Sequence, residues 1–154
     1  YAKGIVSGKT ATKYAPDDAV TRAEFTKIIV GAFGIDLVST TGSFTDISGH
    51  WGSKYIEAAK AAGVIAGYSD KTFKPDAKIN RAEALKILLE AADVSLTAAA
   101  ADFSDVKASD WFAKYVNYAA ANEIVKGYAD GTFGPNKSIT RGEVAKIVSL
   151  MIAE

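Results

Sequence analysis

The sequence predicts a mainly α fold made of three copies of one helix-loop-helix repeat, and three observations predict it. The segments Thr21-Arg22-Ala23-Glu24-Phe25, Asn80-Arg81-Ala82-Glu83-Ala84 and Thr140-Arg141-Gly142-Glu143-Val144 recur at spacings of 59 and 60 residues. Each opens a strongly apolar stretch of helical period. Each follows a proline placed five residues earlier, Pro16, Pro75 or Pro135, which fixes a loop and cannot sit inside a helix.

The third unit shows the pattern most fully. Phe103-Ser104-Asp105-Val106 and Asp110-Trp111-Phe112 open it, and a helical stretch runs to about Asn122. Ile124 to Phe133 then forms a loop, with Asp130-Gly131 as a tight-turn signal that allows a very short hairpin. A last helix runs from Thr140 to near Ala153. The second unit matches part by part. It has Phe44-Thr45-Asp46-Ile47, His50-Trp51, a helix to about Ala62, Gly67-Tyr68, and the Asn80 helix. Trp51, Tyr55, Ile56, Ala59 and Ala62 give its first helix one apolar face. Gly63 fits the left-handed position after that helix, and Asn122 fits the same place in the third unit.

The first unit starts late. Gly4 to Gly8, Tyr14, Pro16, Val20 and the Thr21 helix are present, while the Phe-x-Asp opening and the Trp helix are absent. The loss predicts an exposed apolar face beside the missing helix. The division is therefore 1–41 as a partial first repeat, 42–100 as the second and 101–154 as the third, together one domain. Residues 93–101, rich in alanine, read as a linker or an extension of the preceding helix. The final helix of each unit is the most apolar. Ile28, Ile29, Ala32 and Phe33 mark the first; Leu85, Leu88, Leu89 and Ala92 the second; Val144, Ile147, Val148 and Met151 the third. Three such helices suit a central bundle.

Composition narrows the function. Apolar residues are 49% and charged ones 23%, a globular balance. Formal net charge is zero, which argues against nucleic acid held on a broad basic face. No apolar run approaches the length of a membrane span. There is no cysteine, so disulfides and thiolate chemistry are excluded. His50 is the single histidine and would have to serve any His-based triad. Carboxylates are too sparse around Asp130 for a calcium loop, so no metal and no cofactor is expected. Tyr1 is not an initiator methionine, which reads as a processed product or a fragment.

In this order and repetition, the Phe-x-Asp opening, the Trp at the start of the first helix, Gly-Tyr-x-Asp-Gly-Thr-Phe-x-Pro and the Thr-Arg-Ala-Glu helix start resemble the S-layer homology (SLH) family. The resemblance implies three units in a pseudo-threefold arrangement around a central three-helix bundle. It implies grooves between lobes that bind a secondary cell-wall polysaccharide whose terminal sugar often carries a pyruvate ketal, hence a carboxylate. It also implies a non-catalytic, extracellular module of the bacterial cell envelope that anchors larger proteins, with other surface-layer protein segments as further partners. Two departures stand out. The first unit lacks its opening helix, so a groove needing that tryptophan is altered, and Asn80 replaces the usual threonine.

The repeated motifs carry two readings each. Thr21 with Glu24, Asn80 with Glu83, and Thr140 with Glu143 fit reciprocal capping boxes. The glutamates also stand three residues before Lys27, Lys86 and Lys146, where they can pair, which makes them poor catalytic acids. Arg22, Arg81 and Arg141 sit at helix starts, where the macrodipole opposes a cation. Either each packs on a neighbouring unit and pairs with a carboxylate, or each offers its planar fork to a ligand carboxylate, aided by free amides at the helix start. Trp51 and Trp111 are either core or groove walls for sugar stacking, with His50 and Asp110 beside them as hydrogen-bonding groups. Gly8, Gly67 and Gly127 either take a positive φ or let the backbone approach a sugar. An alternative function is a structural or protein-interaction module in which the arginines are structural.

Overall fold

The computed structural model describes residues 15–153, so Gly4 to Gly8 and Tyr14 lie outside the described residues. Five helices follow in order: α1 (Arg22–Ala32), α2 (Ser53–Ala61), α3 (Arg81–Ala91), α4 (Ala113–Ala121) and α5 (Arg141–Met151). The fold is mainly α. No strand forms among the described residues, and Asp130-Gly131 makes a turn rather than a hairpin.

The three arginine helices α1, α3 and α5 start around one point, and backbone hydrogen bonds define it. Val20 N–H donates to Ile139 O, Ile139 N–H to Ile79 O, and Ile79 N–H to Val20 O, each at 3.1 Å. This closed three-membered circuit marks a pseudo-threefold axis. The three side chains are buried, and each buried aliphatic contributes about 1.5–3 kcal/mol. A second layer repeats the pattern. Arg22 and Ala23 amides donate to Ala77 and Pro75, those of Arg81 and Ala82 to Lys137 and Pro135, and those of Arg141 and Gly142 to Asp18 and Pro16. Each proline loop therefore closes the start of the preceding arginine helix, and the third repeat returns to the first.

Capping boxes form at all three starts. Thr21, Asn80 and Thr140 side chains accept from the amides of Glu24, Glu83 and Glu143, and those glutamates accept from the cap amides in return. With the cap boxes and proline loops engaged, the first helical amides are occupied, which corrects the expectation of free anion donors there.

The tryptophan helices α2 and α4 pack on the arginine helix of the repeat before them, α2 on α1 and α4 on α3. Among the described residues no tryptophan helix packs on α5 in the same way. On α5, Lys146, Ser149 and Leu150 are exposed. Ile56, Ala58 and Ala59 of α2 are buried as an apolar face, while Trp51 and Ala62, expected on that face, are exposed. After α2, Gly63 takes the left-handed conformation at φ 75°, as expected. After α4 the left-handed residue is Glu123, at φ 57°, and not Asn122. Asn122 instead donates its Nδ2 to Tyr118 O at 2.9 Å and closes the helix with its side chain. Residues 94–101 form a plain linker after Asp93 at φ 50° ends the α3 turn.

The Phe-x-Asp opening has a structural reason. Asp46 accepts from the amides of Phe73 and Lys74 at 2.8 and 2.7 Å, and Asp105 from those of Phe133 and Gly134 at 2.8 and 2.9 Å. Phe44 packs on Phe73 and Phe103 on Phe133, with ring centroids 5.5 and 5.7 Å apart. One carboxylate and one ring thus hold each loop against its own repeat.

Candidate functional site

The loops set the grooves. Where the first, second and third repeats meet, a pocket of about 200 Å³ is lined by Arg22, Ile65, Gly67, Tyr68, Glu83, Lys86 and Trp111, among others. A matching pocket of about 90 Å³ between the second and third repeats is lined by Arg81, Val125, Lys126, Phe133, Glu143 and Lys146, among others. The two are related residue by residue: Arg81 replaces Arg22, Glu143 replaces Glu83, and Lys146 replaces Lys86. No tryptophan lines the second groove.

The arginines are held tightly. Arg22 is 6% exposed; its Nε donates to Phe73 O at 2.8 Å and its Nη1 faces Glu83 Oε1 at 3.2 Å. Its guanidinium lies 4.9 Å from the Tyr68 ring centre and 4.7 Å from that of Phe73. Arg81 repeats this with Phe133 O at 3.1 Å, the Glu143 carboxylate, and the Tyr128 and Phe133 rings. The capping glutamate of the next repeat thus neutralises the cation that a helix start disfavours. Arg141 is also buried, at the start of α5. For Arg22 and Arg81 the geometry is that of a packed inter-repeat pair. Tyr68 donates its hydroxyl to Glu83 Oε1 at 3.2 Å, and burial, with Glu83 adding to it, raises the Tyr68 phenol above its ordinary value. With Arg22, Tyr68 and the Asn80 amide on Glu83, that carboxylate forms no pair with Lys86, and the Glu24–Lys27 and Glu143–Lys146 pairs do not form either.

Trp51 and Trp111 are 53% and 54% exposed, so neither is core. Trp111 walls the Arg22 groove. Trp51 lies apart, with His50, Lys54, Glu57 and residues 38–41 around an open hollow. His50 accepts from the Gly52 amide through Nδ1 at 3.0 Å, and its Nε2 lies 3.1 Å from Asp76 Oδ1. Asp110 Oδ2 accepts from the Lys107 amide at 2.7 Å and caps the turn before α4. Gly67 has φ 74°, and a Cβ there would stand 2.2 Å from the Phe44 ring. Gly127 does not take a positive φ; a Cβ there would meet the Phe103 ring at 2.4 Å. Close packing on a phenylalanine is the shared demand. Gly8 lies outside the described residues.

The structure therefore gathers Arg22, Gly67 and Trp111 in one groove and places Arg81 in another. His50 and Trp51 share the hollow. Sequence reasoning missed Lys86, Lys126 and Lys146 as groove residues; the shared repeat position of Lys86 and Lys146 signals those two, while Lys126 stands where the second repeat has Ala66. It also missed Glu57, whose buried place nothing in the sequence marks. Among the described residues, no cluster of His, Cys, Asp and Glu can hold a metal, and no helix is long and apolar enough to cross a membrane.

Comparison with known proteins adds a family. The model of the S-layer homology domain matches residues 1–26, 43–85 and 102–145. The chain is 38% identical over 96% of its length to an amylopullulanase of Thermoanaerobacterium thermosulfurigenes, covering 8% of that protein. It is 37% identical over 96% of its length to the exoglucanase XynX of Acetivibrio thermocellus, covering 14% of it. It is 32% identical, again over 96%, to the S-layer protein EA1 of Bacillus anthracis, covering 17% of it. The chain thus spans less than a fifth of each of these three relatives.

Proposed function

The chain belongs to the S-layer homology domain family, and from that premise we propose that it is a non-catalytic module that holds a larger protein to the bacterial cell wall by binding an acidic, pyruvate-ketal-bearing polysaccharide. The family and its S-layer relatives make it a cell-surface, cell-wall-associated protein. The relatives named as enzymes match it over a small share of their length. Their catalysis is therefore read as lying outside the segment that resembles this chain.

One observation carries the reading. In the Arg22 groove a half-exposed indole, Trp111, lines a space of about 200 Å³ whose floor, the Arg22–Glu83 pair with Lys86, carries one net positive charge. An exposed tryptophan forgoes the burial that its large apolar surface favours, which a ligand would restore. A sugar face suits the indole and a carboxylate suits the floor. Titration calorimetry with a cell-wall polysaccharide fragment, with and without its ketal, tests this. Ketal-dependent binding supports it, and equal binding of both forms removes the carboxylate from the mechanism. Trp111→Ala is the cleaner variant, because Arg22 and Arg81 are built into the fold. It should weaken binding by about tenfold, roughly 1.4 kcal/mol, without changing the melting temperature.

The packed geometry of Arg22 and Arg81 favours one point of the structural alternative, that these arginines tie repeats together. It does not supply a protein partner for the groove, so the anchoring reading stands ahead.

A further inference from the structure

We infer that the hollow beside Trp51 is a second binding site, which takes a primary ammonium group between the buried Glu57 carboxylate and the exposed indole. It lies apart from the arginine grooves and does not depend on the anchoring reading. Beside Trp51 the repeat counterparts of Arg22, Glu83 and Lys86 are Arg141, Glu24 and Lys27, and none of these lines the hollow.

An unsatisfied buried charge points to the ligand. Glu57 lines this space of about 400 Å³ and is 1% exposed. Its Oε1 accepts from the Ser43 amide at 3.0 Å, while its Oε2 has no partner among the described residues. No cation among those residues pairs with it. A buried carboxylate in that state is costly, and a charged N–H donor offsets the cost best. Lys54 also lines the hollow, yet its ammonium lies 5.0 Å from the centre of the Tyr55 ring, which is outside the lining. The structural bond alone does not call for a carboxylate. At the matching place in α4, Asn117 accepts from the Ala101 amide with a neutral side chain.

The rest of the lining suits the same group. Trp51 is 53% exposed, and indole is the ring face that attracts a cation best. His50 backs it with ring centres 5.3 Å apart, its own nitrogens engaged by the Gly52 amide and Asp76. Ser39, Thr40, Thr41 and Ser53 bring hydroxyls that can accept an ammonium's remaining N–H bonds. In the third repeat these positions are Ala98, Ala99, Ala100 and Ala113. Carboxylate and hydroxyls thus occur together in the second repeat and are lost together in the third.

The experiment follows the two indole N–H resonances of the whole chain by NMR, with Trp51→Phe to assign them. The probes are a lysine amide blocked at its α-amine, its Nε-acetyl and Nε-trimethyl forms, and glucosamine beside N-acetylglucosamine. The Trp51 signal should shift and saturate with the lysine amide, with glucosamine, or with both; which of them binds separates a peptide source from a saccharide one. Acetylation removes the charge and should abolish the shift. Trimethylation keeps the charge but removes the N–H donors, and should weaken binding as Glu57→Gln does. That variant should bind the ammonium about tenfold more weakly, the loss of a hydrogen bond to a charged group, with an unchanged melting temperature or a higher one. No shift with either ammonium, equal binding of the acetylated or trimethylated probe, or an unaffected Glu57→Gln overturns the site. A lower melting temperature for Lys54→Gln also overturns it, because Lys54 would then be the internal partner of Glu57. None of these outcomes bears on the cell-wall reading, which rests on the Trp111 groove.

Discussion

Buried at the heart of α2, Glu57 is 1% exposed. Its Oε1 accepts from the Ser43 amide at 3.0 Å, and its Oε2 has no hydrogen-bond partner among the described residues. The matching residue of α4 is Asn117, which accepts from the Ala101 amide. An unpartnered buried oxygen costs about 1–3 kcal/mol. Glu57→Gln keeps one acceptor and removes the charge, so it should leave stability unchanged or raise it by up to about 1 kcal/mol. A clear loss in urea unfolding would show that the carboxylate has a partner in solution. Tyr115 is a second single-residue test. It is buried and donates to the Glu90 carboxylate, and burial followed by that bond pushes its phenol up to about 12. The folded state therefore holds this proton more tightly than the unfolded chain. Its contribution is full below pH 10 and lost as pH rises from about 10 to 12. Tyr115→Phe should lower stability by about 1 kcal/mol at neutral pH and flatten the decline above pH 10, followed by thermal unfolding across that range. None of this was legible in the sequence. Nothing in one chain's spelling says that position 57 faces inward on a helix whose Lys54 and Lys60 face out.

Helix starts were the most legible elements, because their bonds are local. A cap and its partner lie three residues apart, so Thr140 and Glu143 can be paired without knowing the fold. Thr140→Ala should cost about 1 kcal/mol, measured as a lower denaturation midpoint with an unchanged slope. The loop elements were legible as motifs and not as causes. Asp46 and Asp105 stand among the openings of the sequence, yet their amide partners lie 27 to 29 residues away. Asp105→Ala should loosen the loop that carries Phe133 and cost about 1.5–3 kcal/mol. Hydrogen exchange at the Phe133 and Gly134 amides would locate the loss. In the turns, Lys71 takes φ 63° where the third repeat has Gly131 at φ 81°. A side chain in that conformation is strained, and Asp70-Lys71 is the weaker turn signal of the two. The exposed Asp70 and Asp130 in the same turns are held below the ordinary carboxylate range by bonds from Thr72 and Thr132. Their help is present above the unfolded value and fades as pH falls through the folded one.

At the scale of the molecule, the repeats form a ring rather than a row. Open arrays unfold from their ends because each unit touches only its neighbours. Here Gly142 N–H bonds Pro16 O and Val20 N–H bonds Ile139 O, so the third repeat closes on the first. Calorimetry should therefore show one transition, with van't Hoff and calorimetric enthalpies equal. Ile79→Ala, at the axis, should destabilise all repeats together by about 2–5 kcal/mol; two separated transitions would contradict the closed ring. The sequence by itself determined the repeat, the five helices of the described residues and the capping boxes of α1, α3 and α5, because periodicity and capping act within a few residues. It also determined which residue types recur at the groove positions. Only the tertiary structure decided which of those residues come together. Arg22 meets Glu83 across 61 positions and Trp111 across 89, and such meetings depend on how one repeat is rotated onto the next. That rotation is set by backbone bonds between repeats, and it alone brings Arg22 onto Glu83 and Arg81 onto Glu143.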